Sequence, residues 1–258
     1  MKKILYNIRK VIYSLIRRWG YDIRRYRGEA TWEDKLSDLS TAEKAIMASV
    51  RPYTMTSEER MASLLSAVRH ISTHKIPGDI VECGVWRGGS MMIVAQMLVS
   101  LNDTSRKLYL YDTYEGMSVP TEHDKRIGGQ SAETLLSEAP AQTGIWCYAS
   151  LEDVKRNLLS TGYPKENIIF VKGKVEDTIP GSLPQSVALL RLDTDWYEST
   201  KHELEHLFPL LVKNGLLILD DYGHWQGAKK AVDEYFSPFP EPVFLQRIDN
   251  DGRLIVKH

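Results

Sequence analysis

Val187-Ala-Leu-Leu-Arg-Leu-Asp193-Thr-Asp195-Trp196 is the stretch whose reading decides the fold. Residues 187 to 192 are almost wholly aliphatic, which suits a strand covered on both faces in a parallel sheet. Side chains alternate along a strand with period two, so Asp193 and Asp195 fall on one face at its end and Thr194 on the other. A second apolar run, Gly215-Leu-Leu-Ile-Leu-Asp220-Asp221-Tyr222, repeats the device. In open α/β sheets ligands bind beyond the carboxyl ends of the strands, so two strands ending in four acids predict a cation site in a crevice.

Working outward, the chain from Asp79 alternates as an α/β protein does. Strands are predicted at 80–85, 107–112, 167–171, 187–192, 216–219, 243–247 and 254–257, with helices at 90–100, 151–160, 198–212 and 227–236. Asn250-Asp251-Gly252 is a turn signal that makes the last two strands an antiparallel hairpin. Upstream, residues 29–52 read as a short helix and a linker. Thr56-Ser57-Glu58-Glu59 has the capping-box pattern and opens a helix carrying Met61, Leu64, Leu65, Val68 and Ile71, which Pro77-Gly78 breaks. Residues 114 to 149 hold scattered glycines and only a weak helical patch around Ala132 to Glu138; a connection of this length is expected to cover substrate as a lid.

The 258 residues, 43% hydrophobic and 26% charged, are those of a soluble protein with one large domain, here 29–258. Two cysteines, Cys83 and Cys147, without paired spacing indicate neither a disulfide framework nor a cysteine zinc site, and fit a reduced, cytoplasmic setting. Residues 1–28 carry Lys2, Lys3, Arg9, Lys10, Arg17, Arg18, Arg24, Arg25 and Arg27 against one acid, Asp22. With the formal net charge at −1, the remainder is correspondingly acidic, which argues against a broad nucleic-acid surface. Ile4, Leu5, Ile8, Ile12, Leu15, Ile16 and Trp19 recur at helical spacing, but the longest uncharged run, Val11 to Ile16, is too short for a signal peptide or a membrane span. An amphipathic helix is expected there, docked on the body or a second subunit in preference to an anionic membrane surface.

The first strand runs into Glu82-Cys83-Gly84-Val85-Trp86-Arg87-Gly88-Gly89-Ser90 and then a helix. Glycines at such a turn let the backbone approach a cofactor, and the helix start offers free N–H groups. The spacing is not that of the dinucleotide fingerprint. The next strand ends in Asp112, placed to accept the hydroxyls of a ribose, so a ribose-bearing cofactor is predicted.

These blocks, with Tyr111-Asp112-Thr113-Tyr114-Glu115-Gly116-Met117, Leu192-Asp193-Thr194-Asp195-Trp196-Tyr197 and Leu219-Asp220-Asp221-Tyr222-Gly223, resemble the macrocin-type sugar O-methyltransferases, which use S-adenosylmethionine and a divalent metal. The likeness runs from about Tyr53 to the C-terminus. It implies a class I methyltransferase fold, a Rossmann-like α/β sheet of seven mostly parallel strands, and a homo-oligomer acting on a sugar or glycosylated small molecule. It further implies that Glu82, Gly84, Val85, Trp86 and Ser90 line the cofactor with Tyr114 and Gly116, that Asp112 holds its ribose, and that Thr54 and Met55 close over it. Glu176 is placed near the adenine by position. Asp193, Asp220 and Asp221 would hold Mg2+ and Asp195 would be the general base; alternation alone leaves open which of Asp193 and Asp195 touches the ion. Oxygen donors suit magnesium, and an activated sugar hydroxyl needs a nearby proton acceptor.

Other readings compete. A catechol-type O-methyltransferase would use the same metal logic, and a binding module would keep the pocket without turnover. His202-Glu203-Leu204-Glu205-His206 matches the zinc-peptidase pattern, but Leu204, Leu207, Phe208 and Leu211 form the apolar face of that helix and the histidines are expected to point to solvent. His123 and His224 are better placed to touch substrate.

Overall fold

The computed structural model of the chain describes residues 36–140 and 144–258. The basic amphipathic helix expected over residues 1–28 lies outside the described residues. By internal packing the chain separates into Met1–Asp38 and Leu39–His258, and every element below belongs to the second unit.

Two helices precede the sheet. Helix α1 (Thr41–Val50) opens on a reciprocal capping box, in which the Ser40 hydroxyl accepts from the Glu43 amide and the Glu43 carboxylate accepts from the Ser40 amide. Helix α2 (Glu58–Thr73) is capped by Ser57, whose Oγ accepts from Arg60 N at 3.1 Å. The capping box predicted from Thr56 to Glu59 is therefore not formed, and Thr56 is buried instead. The alternating part follows: β1 (Asp79–Cys83), α3 (Gly89–Ser100), β2 (Leu108–Asp112), α4 (Ala132–Glu138), α5 (Leu151–Leu159), β3 (Ile168–Lys172), α6 (Val175–Thr178), β4 (Val187–Leu192), α7 (Tyr197–Leu207), β5 (Leu211–Leu219), α8 (Gln226–Phe236), β6 (Gln246–Arg247) and β7 (Arg253–Val256).

The strands form one seven-stranded sheet in the order β3-β2-β1-β4-β5-β7-β6. Pairs from β3 through β5 are parallel; β7 runs antiparallel to both β5 and β6. Strand order reverses between β1 and β4, which opens a crevice beyond their carboxyl ends. All six residues of β4 are buried, as its composition requires. Its aliphatic side chains join those of β1, β5 and α7 in a core that includes Val81, Leu190, Leu204, Leu207 and Leu217. At about 25 cal/mol per Å2 of apolar surface, this burial is the main force holding the helices onto the sheet.

Three predicted boundaries move by three residues or more. Helix α7 stops at Leu207, because Pro209 cannot continue it and the chain passes through a single 3-10 turn, Phe208–Leu210. Strand β5 then starts at Leu211, five residues before the apolar run, and its exposed Lys213 and Asn214 broke the pattern that sequence reading relies on. The hairpin strand predicted over 243–247 shrinks to Gln246–Arg247. Among the described residues, no helix is long and apolar enough to cross a membrane.

Candidate active site

A cleft of about 330 Å3 lies beyond the carboxyl ends of β1, β2, β4 and β5. At its β1 end, chain geometry leaves no room for a side chain at residue 84. Gly84 has φ +80°, and a Cβ there would sit 1.9 Å from the Asp193 carbonyl oxygen, so only glycine lets the β1 turn lie against the end of β4. Gly88 also has positive φ and immediately precedes α3. Asp112 fixes this turn from the neighbouring strand. Its Oδ2 accepts from Val85 N at 2.7 Å and Trp86 N at 3.0 Å, and its Oδ1 accepts from Tyr114 N at 2.7 Å. The carboxylate expected on a ribose is thus also the clamp of two loops. Burial raises its pKa against the lowering effect of those amides.

Thr54, Met55, Gly84, Val85, Trp86, Ser90, Asp112, Gly116 and Glu176, all expected at a cofactor, line the cleft. Two others do not. Tyr114 is buried with its hydroxyl donating to Leu110 O at 2.9 Å. Glu82 is 1% exposed and lies one layer back, where its Oε1 accepts from Arg191 at 2.6 Å and its Oε2 is buried without a hydrogen-bond partner. Burial pushes the Glu82 carboxyl up to about 7, with Arg191 pulling the other way.

The β4–β5 end is built from charges. Oxygens of Asp193, Asp220 and Asp221 converge within 4.8 Å of one another. Arg191, the one polar member of β4, is buried beneath them and donates to Asp193 Oδ2 at 2.8 Å, Asp220 Oδ1 at 2.6 Å and Thr56 Oγ1 at 3.0 Å. Arg60, from α2, pairs with Asp220 and with Asp249 of the β6–β7 turn. Two guanidinium groups therefore face six acids: Glu82, Asp193, Asp220, Asp221, Asp249 and Asp251. Burial, followed by the charge of neighbouring carboxylates, raises Asp193 and Asp221 well above the usual range even so. A divalent cation seated among their oxygens would relieve that repulsion. The donor set, three carboxylates with hard oxygen atoms, fits magnesium.

Asp195 stands outside this trio. Strand geometry ends at Leu192, and Asp195 has φ +66°, so the period-two expectation that pairs it with Asp193 lapses just where the turn begins. Its Oδ1 accepts from Trp225 Nε1 at 2.6 Å, and its amide donates to Asp221 Oδ2 at 3.1 Å. Burial and the charge of Asp193 push its carboxyl up to about 7. Trp196, stacked edge-on to Trp225 at 4.9 Å, donates from Nε1 to Ser118 O.

The zinc-peptidase pattern does not assemble. His202 and His206 are half-buried, contrary to the expected solvent exposure, because His202 Nε2 meets Ile179 O at 3.0 Å and His206 Nδ1 meets His202 O at 2.9 Å. Glu203 points inward from α7, fully buried, with its Oε2 accepting from Thr194 Oγ1 at 3.2 Å. His224 lines the cleft near Asp251, whereas His123 packs edge-on against Tyr197. Arg60, Arg191 and Trp225 escaped the sequence reading. A signal existed for Arg191 alone: a charge inside an aliphatic run must be buried and must therefore find partners.

Residues 15–255 match the macrocin-O-methyltransferase (TylF) family. The chain is 32% identical over 204 residues to the 8-demethyl-8-(2,3-dimethoxy-alpha-L-rhamnosyl)-tetracenomycin-C 4'-O-methyltransferase of Streptomyces olivaceus, covering 78% of this chain and 74% of that one. It is 30% identical over 204 residues to the demethyldecarbamoylnovobiocin O-methyltransferase of Streptomyces niveus, at the same coverage. Among solved structures, the O-methyltransferase NovP matches with a TM-score of 0.70 and 30% identity over 80% of this chain and 82% of its own. The calicheamicin methyltransferase CalS11 shares the fold, at a TM-score of 0.56, 16% identity and coverage of 92% and 98%.

Proposed function

This chain belongs to the macrocin-O-methyltransferase family, and from that premise we propose that it transfers a methyl group from S-adenosylmethionine to a hydroxyl of a sugar or glycosylated small molecule. The observation that carries this reading is the continuity of one cleft from the Gly84 turn and Asp112 to the converging acids. A backbone-lined end suits a nucleoside cofactor, and an acid-lined end suits an acceptor hydroxyl. The relatives named above act on a rhamnosyl tetracenomycin and on a novobiocin precursor, which favours a glycosylated acceptor over a catechol.

S-adenosylmethionine, when bound, supplies an electrophilic methyl on a sulfonium. A divalent cation held by Asp193, Asp220 and Asp221 would supply Lewis acidity toward the acceptor oxygen. The rest of the chemistry falls to this chain. The amides and glycines of the β1 turn, with Asp112, orient the cofactor, while Thr54 and Met55 cover it. Asp195 takes the hydroxyl proton as the oxygen–carbon bond forms and the carbon–sulfur bond breaks; Trp225 holds that carboxylate on the cleft wall. Arg191 and Arg60 keep the acids beside it from repelling one another apart.

The test is a screen of nucleotide sugars, glycolipid intermediates and glycosylated macrolides with S-adenosylmethionine, read by product mass. A methylated product, lost with chelator and restored by magnesium, is expected. Absence of cofactor binding in calorimetry would reject the reading, and activity indifferent to chelator would remove the metal from it.

A further inference from the structure

The stretch between β2 and α4, which the sequence leaves as a lid, is stitched to the catalytic end of the sheet. Arg126 forms an antiparallel bridge with Trp225. Gln226 N donates to Lys125 O at 2.8 Å, and Ile127 N donates to His224 O at 3.0 Å. Residues 224–226 lie in the turn that follows the acids Asp220 and Asp221, so this short ladder braces the loop that carries them.

At the junction stands Asp124, fully buried. Its Oδ1 accepts from Tyr197 N at 2.8 Å; its Oδ2 accepts from Thr121 N at 2.7 Å and from Thr121 Oγ1 at 3.0 Å. Tyr197 is the first residue of α7, and Trp196 at the cap position has no side-chain acceptor to offer the helix. A carboxylate from 73 residues upstream supplies it, and the positive end of the helix suits its charge. The fit is tight: a Cβ on Gly227, in the first turn of α8, would come within 2.2 Å of Asp124 Oδ1. One buried group thus touches the start of α7 just after Asp195 and the start of α8 just after Trp225. Those two turns hold the acid and the indole that grips it.

We propose that Asp124 is a positioning residue of the transferase, locking the Asp193–Trp196 turn and the Asp221–Trp225 turn in one register so that Asp195 keeps its place in the cleft. This rests on the proposed role of Asp195 only for its effect on turnover; the mechanical coupling of the two turns stands apart from which acid takes the proton. In Asp124→Asn one oxygen can still cap α7 and the Thr121 hydroxyl can turn to accept from the new amide, but that amide's N–H groups face the Thr121 N–H, which has lost its acceptor. Two donors set against each other at the Thr121 amide loosen the junction.

Hydrogen exchange of the full chain tests the coupling. In Asp124→Asn, amides of residues 121–131, 195–200 and 224–227 should exchange faster together, while those of 84–90 at the cofactor turn keep their protection. S-adenosylmethionine affinity by calorimetry should stay within about twofold, with kcat lowered by about tenfold to a hundredfold on an acceptor the wild type methylates. Thr121→Val, which removes one donor and leaves the carboxylate, should move the same three segments less and serves should the first variant not fold. Faster exchange confined to 121–131, or spread equally into 84–90, would overturn the proposal, as would full turnover with all three segments loosened. Were the wild type to methylate no acceptor, the exchange pattern would still decide the coupling.

Discussion

The two ends of the cleft are held by different forces. At the β1–β2 end the shape comes from backbone: Gly84 against the Asp193 carbonyl, and the Val85, Trp86 and Tyr114 amides gathered on Asp112. At the β4–β5 end it comes from side-chain charge, with Arg191 and Arg60 spanning acids that would otherwise repel. The first end tolerates no added atom. The second tolerates no lost charge. Under the proposed function, such a division would let the cofactor seat stay rigid while the acids remain open to a cation and a proton.

The comparison can be broken most forcefully at Arg191. Arg191→Met would leave the buried Glu82 and Asp220 and the half-buried Asp193 without their shared partner, which destabilises by about 3 to 5 kcal/mol and lowers the thermal midpoint by about 6 to 20 °C. A neutral result would mean that charge does not hold this end together. Gly84→Ala comes next, at about 2 to 4 kcal/mol from a Cβ against a backbone oxygen at positive φ, and calorimetry should show S-adenosylmethionine binding lost with it. Retained cofactor affinity in that variant would unseat the backbone account of the first end.

Glu203, behind Thr194, sharpens the comparison with the smallest effect. Burial raises its pKa well above the ordinary carboxyl value, so the folded chain holds this proton more tightly than the unfolded one. Its contribution to stability is then complete below the ordinary carboxyl pKa of about 4.3 and declines as pH rises toward the folded value. Glu203→Gln cannot lose a proton, so its midpoint relative to the wild type should climb between pH 5 and pH 8. A difference that stays flat with pH would show that the carboxyl titrates alike in both states.

How much of this was legible follows from the range of each interaction. Strand β4 was read to its true bounds, and the glycine turn and both acid clusters were read in place, because apolar runs, glycines and strand ends are local signals. Arg191 meets Glu82 across 109 residues and Thr56 across 135, and Arg60 meets Asp220 across 160; no local pattern announces such pairings. The positive φ of Asp195, a residue with a side chain, broke the alternation that had tied it to Asp193. In the Tyr114–Ala149 stretch the apolar periodicity is weak because its order comes from a backbone ladder and from a small cluster, Ala132, Leu136, Trp196, Trp225 and Ala228, whose members lie far apart in the chain.

In the proposed reaction Asp195 takes the proton while the cofactor seat is independent of it. Asp195→Asn keeps the volume and can still accept from Trp225, so S-adenosylmethionine affinity should stay within about twofold of the wild type and kcat should fall by about 10²- to 10⁴-fold. Wild-type turnover in Asp195→Asn, with the cofactor bound as before, would contradict the account.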